Sequence, residues 1–271
     1  MTQHPPPSNQ PANNNNHALL VEQVRLVLAA ISPLAFARLF LHWQPHPAQV
    51  RVLQHLPDFR QAALNCSRQW GKSIVGAIWA LHRLFFVAGS TVLIVGPTGR
   101  QSGETLQKVR EIIRILGIKT RGDGVNRNSI VLPNGSRIVG LPGKGANIRS
   151  FSSVSMVIFD EAARVKDDVY DALLPTLARM NGDVMLLSTP DGKRGEFYRA
   201  MTESERWFQH TGPVTECERI SLEFLERERS RGETYFREEY LCEFIENGKF
   251  MMNESLVRRA RKPQEDPWPW V

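Results

Sequence analysis

The sequence predicts an α/β fold: a mostly parallel sheet flanked by helices, with one added β-hairpin. Three observations carry this reading. Short runs rich in Val, Ile and Leu recur without polar alternation, the pattern of strands buried on both faces. A Gly-Lys-Ser turn follows one such run and opens an apolar helical stretch. Two alternating arms meet at Asn134-Gly135, a strong hairpin signal. With 271 residues and 42% hydrophobic content, the chain has enough material for one large domain with a sizeable core.

Residues 1–17, beginning MTQHPPPSNQPANNNN, form a polar Pro- and Asn-rich tail expected to be disordered. It lacks the basic start and apolar middle of a secretory signal. Ala18 to Trp43 reads as two short helices broken at Pro33. Ala62 to Cys66 is the first core strand; Thr91 to Val95, Val154 to Phe159 and Val184 to Leu187 are three more. Ser129 to Leu141 is the hairpin, expected as an antiparallel addition to the sheet edge. From Ser221 onward, interleaved Glu and Arg predict a solvated helix pair held by weak ion pairs. Residues 18–250 are assigned to one folded domain and 251–271 to a C-terminal linker or tail.

Ile74 to Ala88 is the most apolar stretch, but His82 and Arg83 interrupt it and it falls short of the roughly 20 residues a membrane span needs. No membrane partner is expected. Cys66, Cys217 and Cys242 match neither a disulfide framework nor a zinc pattern, which favours a reduced, cytoplasmic protein. The net charge of +6 is concentrated: residues 100–149 hold ten basic side chains against three acidic ones. This segment could supply sequence-independent contacts to a polyanion such as double-stranded DNA.

The chemistry-bearing residues sit at strand ends. In SRQWGKS, Ser67, Arg68, Gln69, Trp70 and Gly71 form a loop able to wrap phosphates, with Lys72 placed to reach them and the Ser73 hydroxyl to ligate Mg²⁺. Cys66 occupies the position where the usual loop has its first glycine. About ninety residues on, an apolar strand ends in Asp160-Glu161, a metal-holding carboxylate followed by one able to polarise water. Ser188 and Thr189 end another strand and are placed to sense phosphate. Gln49, just before a helix, carries an amide that can both donate to and accept from an adenine edge.

Taken together, PHPAQ, SRQWGKS, VIFDEAA and LLSTPDGKRGEFY resemble the ATPase domain of the large terminase subunit, the DNA-packaging motor of tailed double-stranded DNA phages and prophages. The resemblance spans roughly Pro45 to Phe250, and the Arg-Gln inside the loop, DEAA and the STP triplet in this order make it specific. It implies a P-loop NTPase fold of the ASCE/RecA-like type, with ATP and Mg²⁺ as substrate and cofactor. It also implies residue roles: Gln49 for adenine, Lys72 and Ser73 for phosphate and Mg²⁺, Asp160 as metal ligand, and Glu161 as catalytic carboxylate. Arg68 matches a γ-phosphate sensor, Ser188 and Thr189 a coupling motif, and Arg149 an arginine that completes a neighbouring subunit's site. The implied partners are double-stranded DNA, further copies in a homo-oligomeric ring, the small terminase subunit, and the portal and capsid, in the cytoplasm of a bacterial host. Family members usually continue into a metal-dependent nuclease, whereas these residues end at PQEDPWPWV where that domain would begin, so DNA cleavage is not expected of them.

Two other readings stay open on sequence alone. A helicase-like P-loop ATPase would share the glutamine, loop and carboxylates but needs a second lobe with further arginine motifs. A catalytically idle DNA-binding remnant would bind nucleotide without turnover.

Overall fold

The computed structural model describes residues 12–246 apart from 127, 144–150, 152, 204, 218 and 219. Its sheet is built from β1 (Gln61–Cys66), β2 (Thr91–Gly96), β3 (Ser129–Val131), β4 (Arg137–Pro142), β5 (Val154–Asp160), β6 (Asp183–Ser188) and β7 (Phe208–Gly212). The spatial order is β3-β4-β2-β5-β6-β1-β7, parallel throughout except for the β3–β4 pair. The four strands expected from the apolar runs are all present, each one or two residues longer than the run that signals it.

The helices are α1 (Ala12–Ile31), α2 (Pro33–Phe40), α3 (Pro47–His55), α4 (Lys72–Phe86), α5 (Gly99–Ile115), α6 (Asp167–Leu177), α7 (Gly195–Thr202), α8 (Leu222–Arg229) and α9 (Glu233–Glu239). Strand residues alternate between two apolar layers, as a period of two requires. Leu64, Val92, Ile94, Ile158 and Leu187 face α2 to α5, while Ala63, Leu93, Val157, Phe159 and Leu186 face α6 and α7. Both faces are covered, which is why these runs show no polar alternation.

Pro33 starts α2, with the Ser32 hydroxyl accepting the Ala35 N–H at 3.2 Å as N-cap. Upstream, α1 begins at Ala12, so the polar tail expected over residues 1–17 is helical from that point. His82 of α4 lies against the Phe36 and Phe86 rings and donates Nε2–H to the Ala29 carbonyl at 3.0 Å. Burial there lowers its pKa to about 4.

The hairpin differs from expectation in one respect. Ile130 and Ile138 face each other antiparallel across a turn in which Gly135 N–H reaches the Leu132 carbonyl at 3.1 Å, with Gly135 at φ +82°. Its second arm, β4, nevertheless pairs in parallel with β2, so only β3 is the antiparallel addition. Strand β7 has no apolar signal because FQHTG is an edge strand with only Gly212 buried; its main chain pairs with β1, Leu64 lying opposite His210.

Candidate functional site

Three neighbouring strands deliver the predicted motifs to one edge of the sheet. β6 lies between β1 and β5, with Asn65 opposite Ser188 and Leu187 opposite Asp160. The loop after β1, Ser188 at the end of β6, and Asp160-Glu161 at the end of β5 therefore stand side by side at the carboxyl ends, where α/β sheets bind ligands.

The loop is anchored from both sides. Ser67 N–H reaches the Gly212 carbonyl at 2.9 Å, tying the loop to β7. Trp70 turns its indole into the protein, where Nε1–H donates to Glu216 at 2.8 Å; Arg51 and His210 bind the same carboxylate. Trp70 thus serves the loop as an anchor. Its carbonyl accepts from Gln49 Nε2 at 2.9 Å, and the Gln49 Oε1 accepts the His46 N–H at 3.1 Å. Both ends of the Gln49 amide are engaged with the protein itself in this arrangement. Gly71 adopts φ +89°, which strains any residue with a Cβ, and a Cβ there would lie 2.6 Å from Gln49 Nε2 and push that amide off the Trp70 carbonyl. Gln69 is exposed, and Ser73 lies half-buried in the first turn of α4.

Cys66, in place of the first loop glycine, is fully buried against Gly212. Burial pushes its thiol well above the ordinary range, which makes it an inert packing residue.

The carboxylates are held from several elements. Asp160 is buried; one oxygen accepts the Glu161 N–H at 3.1 Å, and the other accepts the Thr105 hydroxyl of α5. Glu161 has left-handed backbone, φ 55° and ψ 44°, uncommon for a residue with a Cβ and concentrated at functional sites. Its Oε1 is 3.9 Å from the Lys72 ammonium, and its Oε2 accepts from Arg164 Nη1 at 2.6 Å. The Ser188 hydroxyl accepts the Ala163 N–H at 3.2 Å, linking the end of β6 to the turn after Glu161.

Arg68 leans away from the loop interior toward α9, where its guanidinium grips both oxygens of Glu239 at 2.8 and 3.2 Å. Arg164 binds Glu239 as well, at 3.2 Å. Burial opposes ionisation of Glu239, but the hydrogen bond and charge of Arg68, aided by Arg164 and Thr189, overcome it and hold the carboxyl below its ordinary value. Glu239 corrects the view of the C-terminal helices as a merely solvated pair: α8 and α9 pack on Phe236 and Tyr240 and send a buried carboxylate into the site. Glu239, Thr105 and Arg164 were not signalled by any motif. Arg149 lies outside the described residues.

Beside the loop, on its α3 side, a cleft of about 790 Å³ is lined by His46, Gln49, Trp70, Ile74, Ser221 and Phe224 among others, a volume in the range of small-ligand sites. In the loop itself, Ser67 Oγ is buried without a partner among the described residues, as is the neighbouring Asn65 Oδ1. Such orphaned groups are rare and point to a ligand or water. Among the described residues no cluster of three or more His, Cys, Asp or Glu could hold a metal by itself, and no helix is long and apolar enough to cross a membrane.

A phosphate-type loop between strand and helix, with one strand inserted between the loop strand and the strand bearing paired carboxylates, defines a P-loop NTPase fold of the ASCE type. A family model described as terminase large subunit, T4likevirus-type, N-terminal, matches residues 64–259, and the chain belongs to this family. The terminase large subunit of Escherichia phage T5 is 28% identical over 211 residues, 74% of this chain and 48% of that protein. The chain thus spans about half the length of that relative. The large terminase ATPase domain of Thermus phage P74-26 superposes with a TM-score of 0.68 at 21% identity, covering 77% of this chain and 97% of that one. The large terminase of a thermophilic bacteriophage, solved in complex with ADP, gives 0.64 at 12% identity over 74% of this chain and 54% of that one.

Proposed function

We propose that this chain is an ATP-hydrolysing motor unit that moves double-stranded DNA into a viral capsid. The observation that carries the reading is the placement of Lys72, Ser188 and the Asp160-Glu161 pair at three adjacent strand ends. In this reading the nucleotide's phosphates lie in the loop of residues 67–73, its base in the cleft beside Gln49, and Lys72 leaves Glu161 to meet the phosphates. Glu161 then accepts a proton from the attacking water as the bond to the leaving ADP breaks. Asp160 and Ser73 offer the hard oxygen ligands that suit Mg²⁺, which when bound neutralises charge on the phosphates. Asp160 already presents a buried carboxylate oriented by Thr105.

DNA is assigned to the face bearing Arg100, Lys108, Arg110, Arg114, Lys119 and Arg121, all exposed on α5 and the segment after it. Such contacts are indifferent to sequence, as a translocating motor requires, and weaken steeply with salt. Family membership supports a ring of identical subunits in the bacterial cytoplasm, with Arg149 reaching a neighbour's site and the small subunit, portal and capsid as further partners.

The test is ATP turnover by the purified chain across a protein concentration series, with and without double-stranded DNA. Turnover should rise more than linearly with concentration and increase with DNA. Lys72→Ala should abolish it and weaken nucleotide binding, while Glu161→Gln should abolish it with ATP binding retained. Normal turnover in either variant would refute the mechanism.

A further inference from the structure

We infer that Arg164 is a positioning residue: it orients the Glu161 carboxylate for attack and joins it to the end of β6 and to α9. The inference rests on the hydrolytic reading above.

Arg164 ends the short 3-10 turn Ala162–Arg164, three residues beyond Glu161, and its own N–H reaches the Glu161 carbonyl at 2.9 Å. From there the guanidinium reaches three acceptors on three elements. Nη1 donates to Glu161 Oε2 at 2.6 Å and to Thr189 Oγ1 at 3.4 Å, and Nη2 donates to Glu239 Oε1 at 3.2 Å. A solvated surface pair has one partner and a mobile side chain. This side chain is only 33% exposed and is fixed at both ends of its fork.

The division of labour on Glu161 is what makes the contact functional. Oε1 faces Lys72 at 3.9 Å, and Oε2 faces Arg164. When phosphates draw Lys72 away, Oε1 becomes free to accept from water, whereas Oε2 stays tethered. Without the tether, a carboxylate on a left-handed residue loses its closest side-chain partner at the moment it must hold a water in line. The contacts to Thr189 and Glu239 carry any shift of Glu161 to the strand end and the helix that also holds Arg68. General-base catalysis is worth about 10²–10⁴ in rate, so loss of its orientation should remove on the order of 10–100-fold.

The experiment compares Arg164→Ala and Arg164→Lys with Glu161→Gln and the unaltered chain in Mg²⁺, measuring ADP affinity, affinity for ADP–aluminium fluoride, and turnover with DNA. Arg164→Ala should bind ADP within about threefold of the unaltered chain and lose roughly 10–100-fold in turnover, with partial recovery on adding guanidinium salts. Arg164→Lys, a point charge without the fork, should lie between. At equilibrium the unaltered chain should bind ADP–aluminium fluoride, a mimic of the phosphoryl group in flight, more tightly than ADP, and Arg164→Ala should lose that tightening. Full tightening or full turnover in Arg164→Ala, with Glu161→Gln inactive, overturns the inference alone. A parallel loss of ADP affinity overturns it in favour of a nucleotide-binding residue. Normal turnover by Glu161→Gln overturns the hydrolytic reading itself.

Discussion

Replacing Glu239 by Gln removes one negative charge at nearly constant volume and so measures how strongly α9 is held to the phosphate loop. The side chain is 9% exposed and accepts from Arg68 at 2.8 and 3.2 Å and from Arg164 at 3.2 Å. Breaking a fully buried pair costs about 3–5 kcal/mol, whereas an exposed pair contributes about 0–1 kcal/mol. Arg68 is 58% exposed, so its contact belongs near the lower limit; Arg164 is more enclosed and adds about 1–2 kcal/mol. The expected loss is therefore about 2 kcal/mol, a fall in Tm of roughly 4–8 °C for a domain of this size. Urea unfolding followed by tryptophan fluorescence gives the first quantity and calorimetry the second. Arg68→Gln should cost less than Glu239→Gln, because Arg164 would still neutralise Glu239. A loss below about 0.5 kcal/mol for Glu239→Gln, or a larger loss for Arg68→Gln, would refute the reasoning.

Two further outcomes follow from single residues. His82 is depressed to about 4 by burial, against about 6.5 in the unfolded chain, so the unfolded state binds the extra proton between those values. Stability should hold above pH 6.5 and fall by about 2 kcal/mol on acidification to pH 5; His82→Gln should flatten that part of the profile, and an unchanged profile would exclude His82 as its source. Gly71→Ala should lower stability by about 1–3 kcal/mol and nucleotide affinity by roughly tenfold or more, since the φ of +89° strains a residue with a Cβ and the Gln49 amide must shift to admit one. Calorimetric titration with ADP checks it, and an unaltered affinity would show that the loop rebuilds without Gln49.

The sheet was legible because its strands are short, apolar on both faces and punctuated by Gly, Pro and Asn, so type and place could be read together. The candidate site was legible where a motif sets a residue type at a fixed offset, as at Lys72 and Asp160-Glu161, which the fold brings together. Thr105 and Glu239 were not, because each acts through a contact made across the fold; Arg164 stands only three residues from Glu161, but no motif marks it, and its reach to Thr189 and Glu239 is set by the fold. Glu239 reaches Arg68 over 171 positions, and nothing in the Glu-Arg pattern of α9 separates the buried carboxylate from its solvated neighbours. β7 escaped notice for the opposite reason: an edge strand can be polar, and its place depends on main-chain pairing with β1.

Lys72, Arg164 and Arg68 alternate with Glu161 and Glu239, and Asp160 stands beside Glu161. The cations of this network are each paired with a carboxylate, so little unpaired positive charge faces this side of the pocket. A nucleotide entering it exchanges one set of ion pairs for another and does not condense onto bare positive charge. Few small ions would be released in that exchange, so under the proposed function salt should weaken a grip on DNA far more than a grip on nucleotide.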